Sequence, residues 1–181
     1  EYEEASRNDQ YLLGEDILVA PTYVELDYGT VPSSWLRTED GQPGLKAEYY
    51  NSESLLGTPV VTRVESNIDF DWGEASPDGK VNSDHFAARF TGTLTIPEGM
   101  NVYLKATSDD GSRIYIDDKL FVSSWKGQAT TTTTSETTLE GGRSYQIRFE
   151  YFDGTEGAVC RLEYQAEDPE TCTRTVWIPE G

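Results

Sequence analysis

Phe86-Ala87-Ala88-Arg89-Phe90-Thr91-Gly92-Thr93-Leu94-Thr95-Ile96 puts apolar side chains at 86, 88, 90, 94 and 96, with polar or small ones on the other face. That alternation has the period of a pleated strand with one face on a core and the other toward water. Working outward, Val102, Leu104 and Ala106 alternate with Tyr103, Lys105 and Thr107, and Tyr145, Ile147, Phe149 and Tyr151 alternate with Gln146, Arg148 and Glu150. Cys160 shares a face with Ala158, Leu162 and Tyr164. Pro97-Glu98-Gly99, Asp109-Asp110-Gly111, Gly141-Gly142 and Asp153-Gly154 lie between these stretches, and each has the chemistry of a tight reversal. Short strands with turns at this spacing predict an all-β fold, an antiparallel two-sheet β-sandwich.

The 181 residues suit one domain with appended pieces, and 36% hydrophobic residues suffice for one core. Fourteen basic against 33 acidic residues give a net charge of −19. A surface so acidic repels phosphate backbones and anionic lipid, which argues against nucleic acid as a partner and against membrane-surface roles. Apolar runs such as Ile17-Leu18-Val19-Ala20 fall far short of the ~18 residues that span a bilayer, so no membrane insertion is expected. The chain opens at Glu1 and its one methionine is Met100, the pattern expected of a processed or excised piece. Cys160 and Cys172 allow at most one disulfide; a buried free thiol at Cys160 is the first reading and a bridge the second.

The two ends read differently from the middle. Ile17 to Ala20 is a continuous apolar run, the pattern of a strand buried on both faces as in an α/β barrel. Linker-like composition at Thr38 to Gly44 and Glu167 to Glu170 sets the ends apart. The expected organisation is a flank over 1–38, a β-sandwich over 45–166 and a return flank over 172–181. The threonine run 130–134 reads as an exposed strand, with a glycosylated or disordered stretch as the alternative.

Asp109-Asp110-Gly111 is the sharpest candidate site. Neighbouring side chains on an extended strand point to opposite faces, so a turn or a cis peptide is needed to aim both carboxylates at one point. Such an all-oxygen pair suits Ca²⁺, which takes six to eight oxygen ligands. Asp153, in Asp153-Gly154-Thr155-Glu156-Gly157, is the first choice for a further metal ligand. A solvated acidic turn without metal is the competing reading. Trp72, in the loop-like Asp69-Phe70-Asp71-Trp72-Gly73, and Trp125 are candidates to stack on a sugar ring, with packing as the alternative for each. Phe152 joins Asp109, Asp110, Trp72 and Trp125 as a candidate carbohydrate-binding residue. Tyr49 and Tyr50 are expected to split, one inward and one outward. Asp117-Asp118 reads as a hairpin turn and His85 as a strand-start residue. One histidine makes neither a metal cluster nor a catalytic triad, and no phosphate loop, zinc spacing or nucleophile elbow is present.

Several stretches together resemble a known family. They are Leu45-Lys46-Ala47-Glu48-Tyr49-Tyr50-Asn51, Phe86 to Gly92, Ala106 to Leu120, Trp125, and Arg148-Phe149-Glu150-Tyr151-Phe152. This text closely resembles the carbohydrate-binding domain named after the N-terminal fragment of anthrax protective antigen, the PA14 domain. The resemblance implies a β-sandwich that serves as an accessory module in glycosidases and adhesins. In some sugar-binding members an Asp-Asp pair holds calcium, and sugar hydroxyls complete its shell.

The flanks, Asp9 to Pro21 and Arg174 to Gly181, resemble glycoside hydrolase family thirty-one, of the α-glucosidase and α-xylosidase type. The pair implies a sandwich inserted in a surface loop of such an enzyme, where closely spaced domain ends are tolerated. That family's hydrolysis needs two carboxyl groups flanking the scissile bond, and both belong to motifs upstream of this text. The expectation is therefore no catalytic residue here, and a non-catalytic module that holds a polysaccharide or oligosaccharide near the parent's active site or extends its pocket. Its expected partners are the sugar and the parent's catalytic barrel, and its expected location is secreted, periplasmic or cell-surface. The alternative is a structural or interaction module that orients domains or subunits without binding sugar.

Overall fold

A computed structural model of the chain describes residues 28–167, together with two short strands, β1 (Tyr11–Leu12) and β2 (Leu18–Val19). The chain divides into two compact units, Asp27–Glu167 and a second made of Glu1–Leu26 with Asp168–Gly181. In the second unit β1 and β2 pair antiparallel. The surroundings of the Ile17–Ala20 run, Cys172 and the return flank over 172–181 lie outside the described residues.

The first unit is all-β and antiparallel, as the alternation requires. Its strands are β3 (Tyr28–Thr30), β4 (Leu36–Arg37), β5 (Leu45–Tyr50), β6 (Val61–Glu65), β7 (Asp69–Gly73), β8 (Phe86–Thr95), β9 (Val102–Asp109), β10 (Gly111–Ile116), β11 (Lys119–Ser124), β12 (Thr131–Thr134), β13 (Ser144–Asp153) and β14 (Ala158–Ala166). One sheet has seven strands in the order β11-β10-β13-β8-β5-β6, with β4 also on β8; the other has five, ordered β12-β9-β14-β3, with β7 also on β14. Phe86, Ala88, Phe90 and Leu94 of β8 and Phe149 and Tyr151 of β13 are fully buried, as are Leu104 of β9 and Leu162 of β14. Burying each large side chain contributes about 1.5–3 kcal/mol before the entropy of ordering it is counted.

The four turns expected as reversals do something else. Pro97-Glu98-Gly99 joins β8 to β9, Asp109-Asp110-Gly111 joins β9 to β10, Gly141-Gly142 precedes β13 after β12, and Asp153-Gly154 joins β13 to β14. In each case the two strands belong to different sheets. Gly and Asp give these segments the freedom to bend, and the buried faces of both strands then decide that the chain crosses the core rather than pairing back on itself. The reversal at Asp117-Asp118 is a true hairpin: both residues have positive φ (48° and 61°) and β10 pairs with β11.

The sandwich also starts before Leu45. β3 pairs with β14 and β4 with β8, so residues 28–37 supply strands to both sheets. Tyr49 and Tyr50 do face opposite ways, but Tyr50 is only 4% exposed, because Leu55 of the following loop closes over it to make a small second core with Ala87. Cys160 is buried and free, and burial pushes its thiol pKa up. Thr131–Thr134 form an exposed edge strand on β9. His85, with φ 53°, sits immediately before β8.

Candidate functional site: an acidic corner between the sheets

Asp109 closes β9 in the smaller sheet, and Gly111 opens β10 in the larger one. The peptide between Asp109 and Asp110 is cis. Asp110 is held by two backbone donors: the Gln128 N–H donates to its Oδ1 at 2.9 Å and the Gly154 N–H to its Oδ2 at 2.7 Å. The Gln128 side-chain amide and the Ser108 hydroxyl donate to the Asp110 carbonyl at 3.1 and 2.9 Å. Thr130 donates its hydroxyl to Asp109 Oδ2 at 3.1 Å. From below, the buried Tyr151 hydroxyl donates to the Asp109 carbonyl, and burial raises that phenol's pKa. Two glycines permit the close approach. A Cβ at residue 154 would stand 3.0 Å from Asp110 Oδ2, and one at residue 111 would overlap the Phe152 ring.

Asp153, the last residue of β13, is fully buried, and neither of its carboxylate oxygens has a hydrogen-bond partner among the described residues. Desolvation, then the charges of Asp110, Asp84 and Asp109, push its pKa up to about 7; His85 works weakly against them. The His85 N–H donates to the Gly154 carbonyl at 2.9 Å, and its exposed ring lies 2.6 Å from Glu53 Oε1, a contact that raises the imidazole pKa. Among the described residues no three His, Cys, Asp or Glu side chains already form a group spaced to hold a metal ion.

The aromatic candidates fall in two places. Trp125 and Phe152 meet edge to face at 4.8 Å, half-buried over Tyr50 and Leu55, and the chain from Trp125 leads directly to the Gln128 amide on Asp110. Trp72 is on a strand, β7, rather than in a loop, because Val159 and Ala158 of β14 pair with that segment. Its ring stacks on Phe70 at 4.8 Å and meets Phe86 and Tyr151 at 5.6 and 5.9 Å, so its contacts are those of a core residue. The structure therefore gathers Asp109, Asp110, Asp153, Trp125 and Phe152 toward one end, while Trp72 is half-buried and packs against the main core.

Sequence reasoning missed Gln128, Thr130, Asp84 and the Gly154 N–H, which only strand register brings to the corner. It also missed a charge cluster on the outer face of the larger sheet. Glu150 of β13 accepts from Arg113 Nε at 2.7 Å and Arg89 Nε at 3.1 Å, and Arg148 Nε lies 3.5 Å away. Arg113, Glu150 and Arg89 are register neighbours across β10, β13 and β8.

The fold is an antiparallel sandwich whose chain crosses between the two sheets at the Asp109-Asp110 corner. The PA14 domain pattern matches residues 41–176, and the chain belongs to the PA14 domain family. The anti-sigma-I factor RsgI3 of Acetivibrio thermocellus is 32% identical over 127 residues, which are 70% of this chain and 20% of that protein. This chain thus spans about a fifth of the curated relative's length. A solved anti-sigma factor domain-containing protein is 31% identical with a TM-score of 0.64, over 69% of this chain and 43% of that one. A solved PA14 sugar-binding domain from an RTX adhesin shares the fold, with 20% identity, a TM-score of 0.53, and coverage of 68% of this chain and 89% of that domain.

Proposed function

We propose that this domain is a non-catalytic carbohydrate-binding module whose sugar site is the corner at Asp109, Asp110 and Asp153, assisted by Ca²⁺. The observation that carries the reading is Asp153: a fully buried carboxylate with no hydrogen-bond donor among the described residues and with acids around it. A carboxylate so placed is stabilised by a bound cation, and the all-oxygen donor set of Asp109, Asp110 and Asp153 suits a hard one. Those three residues would hold the ion, with side-chain movement to close the group. Bound calcium supplies a positive centre that accepts sugar hydroxyls as ligands. The chain's own parts position the sugar: two backbone N–H groups fix Asp110, Gln128 and Thr130 border the site, and Trp125 with Phe152 offers a ring surface for the apolar face of a pyranose.

The host proposed is a family thirty-one hydrolase, on the strength of the text at 9–21 and 174–181. Tethered to its barrel, weak sugar contacts raise local substrate concentration. Similarity to anti-sigma proteins favours a second host, an anti-sigma factor carrying this domain. Either host places the domain on the secreted, periplasmic or cell-surface side, where calcium is plentiful. Calorimetric titration of the chain with xyloglucan and α-glucan oligosaccharides, with and without Ca²⁺, tests the binding reading. Calcium-dependent heat that Asp109→Ala abolishes is the expected result. No heat with any sugar in either condition favours a module that orients domains instead.

A further inference from the structure

In a chain of net charge −19, acidic residues outnumber basic ones by more than two to one. Arg161 bridges Asp69 and Asp71, and Arg63 bridges Glu65 and Asp78. At Glu150 the ratio inverts. Arg89, Arg113 and Arg148 share that single carboxylate, whose side chain is 5% exposed, and the only other acid paired with them among the described residues is the solvent-exposed Asp118.

How the guanidiniums are used matters more than their number. Each turns its Nε toward Glu150. The terminal nitrogens of Arg89 then reach the Tyr50 hydroxyl and the Leu55 carbonyl, and those of Arg148 reach Asp118. The terminal nitrogens of Arg113 donate no hydrogen bond to any described residue. Their guanidinium lies 4.0 Å from the Trp125 ring centroid and 5.6 Å from that of Tyr115. Lys126, exposed, is the next residue after Trp125 on the segment that reaches Asp110.

A guanidinium fixed through Nε presents the planar pair of N–H groups that recognises a carboxylate or sulfate in a bidentate way, and desolvation by flanking rings strengthens the contact. The long-range repulsion of an acidic chain is screened beyond about 8 Å at physiological salt, so the local cations decide the interaction at contact. Arg113 stands three residues from Asp110, about 10 Å at the rise of a strand. We propose that the face formed by Arg113, Trp125 and Lys126 binds the anionic group, carboxylate or sulfate, of an acidic glycan that extends from the Asp109-Asp110 corner. This inference rests on the sugar-binding reading and names the class of sugar.

Matched pairs test it: cello-oligosaccharides against their C6-oxidised, uronate forms, and dextran against dextran sulfate, each titrated into the full chain with Ca²⁺ at physiological salt. The acidic member of at least one pair binds tenfold or more tightly than the neutral one, and the pair that responds identifies the anion. Arg113→Gln brings the acidic-to-neutral affinity ratio to about one, the ratio being the readout because Arg113 also packs on Trp125; Lys126→Gln, on the surface and safe for folding, weakens the acidic arm about threefold. Equal affinity for acidic and neutral members overturns the inference while the sugar site stands. Poly-glutamate held as tightly as the uronate overturns it too, because simple ion exchange then suffices. Failure to bind any sugar, neutral or acidic, overturns the sugar-binding reading itself.

Discussion

Glu150 and Asp153 are three residues apart on one strand, both are acids and both are buried, yet their surroundings are opposite. Glu150 points to the outer face of the larger sheet and is buried by arginines folded over it. Asp153 points toward the core at the strand's end and faces other acids without a donor among the described residues. The first carboxylate is satisfied by the fold. The second is not, and its raised pKa reports the unmet need. Burial alone therefore does not decide how an acid is accommodated; the partners do.

Removing Glu150 has the largest expected effect. Glu150→Ala leaves three guanidiniums around an empty place, and a loss of about 3–5 kcal/mol in urea unfolding is expected for a broken buried ion pair. A loss near zero would mean the cluster is solvated rather than structural. Trp72→Ala is expected to cost about 2 kcal/mol, less than a fully buried aromatic because Trp72 is half-buried, with sugar affinity untouched. A loss of sugar affinity at unchanged stability would place Trp72 in the site after all.

Asp153 should respond with the opposite sign from Glu150. Its folded pKa of about 7 lies above the unfolded value of 3.8, so the folded state binds the extra proton between the two. In chelator its contribution to stability is full below pH 4 and is lost as pH rises through 7. Asp153→Asn flattens that decline and raises stability at pH 8 by about 1–3 kcal/mol. With Ca²⁺ the wild-type trend reverses, since the metal needs the ionised carboxylate, and the variant shows no calcium shift. Thermal melts across pH with chelator and with calcium read all four conditions; a wild-type trace that calcium leaves unchanged would remove Asp153 from the binding site. The smallest effect is expected at Trp125→Ala, about 1 kcal/mol of stability from lost ring and cation–π contacts, accompanied by weaker sugar binding.

The long strands were legible because their alternation is local: β8, β9, β13 and β14 lie where the apolar period puts them. β3 and β4 were not, since two or three residues carry no period and only pairing with β14 and β8 makes them strands. The crossing at Asp109-Asp110 read as a reversal because Asp and Gly bend the chain equally well in either role. Asp110 and Asp153 are legible as acids next to glycine, with Asp109 beside the first, and register brings the three toward one corner. The Glu150 cluster was invisible for a different reason. Its partners Arg89 and Arg113 lie 61 and 37 positions away, and in the alternating pattern Glu150 looks like any solvent-facing acid.

Asp109 is the end of a strand in the five-stranded sheet, while Asp153 ends a strand in the seven-stranded one. An ion gripped by both would act as a rivet through the two layers. Filling the corner would then toughen the whole sandwich against shear, so that a tethered domain pulling on an insoluble polymer is braced most firmly while it is holding on.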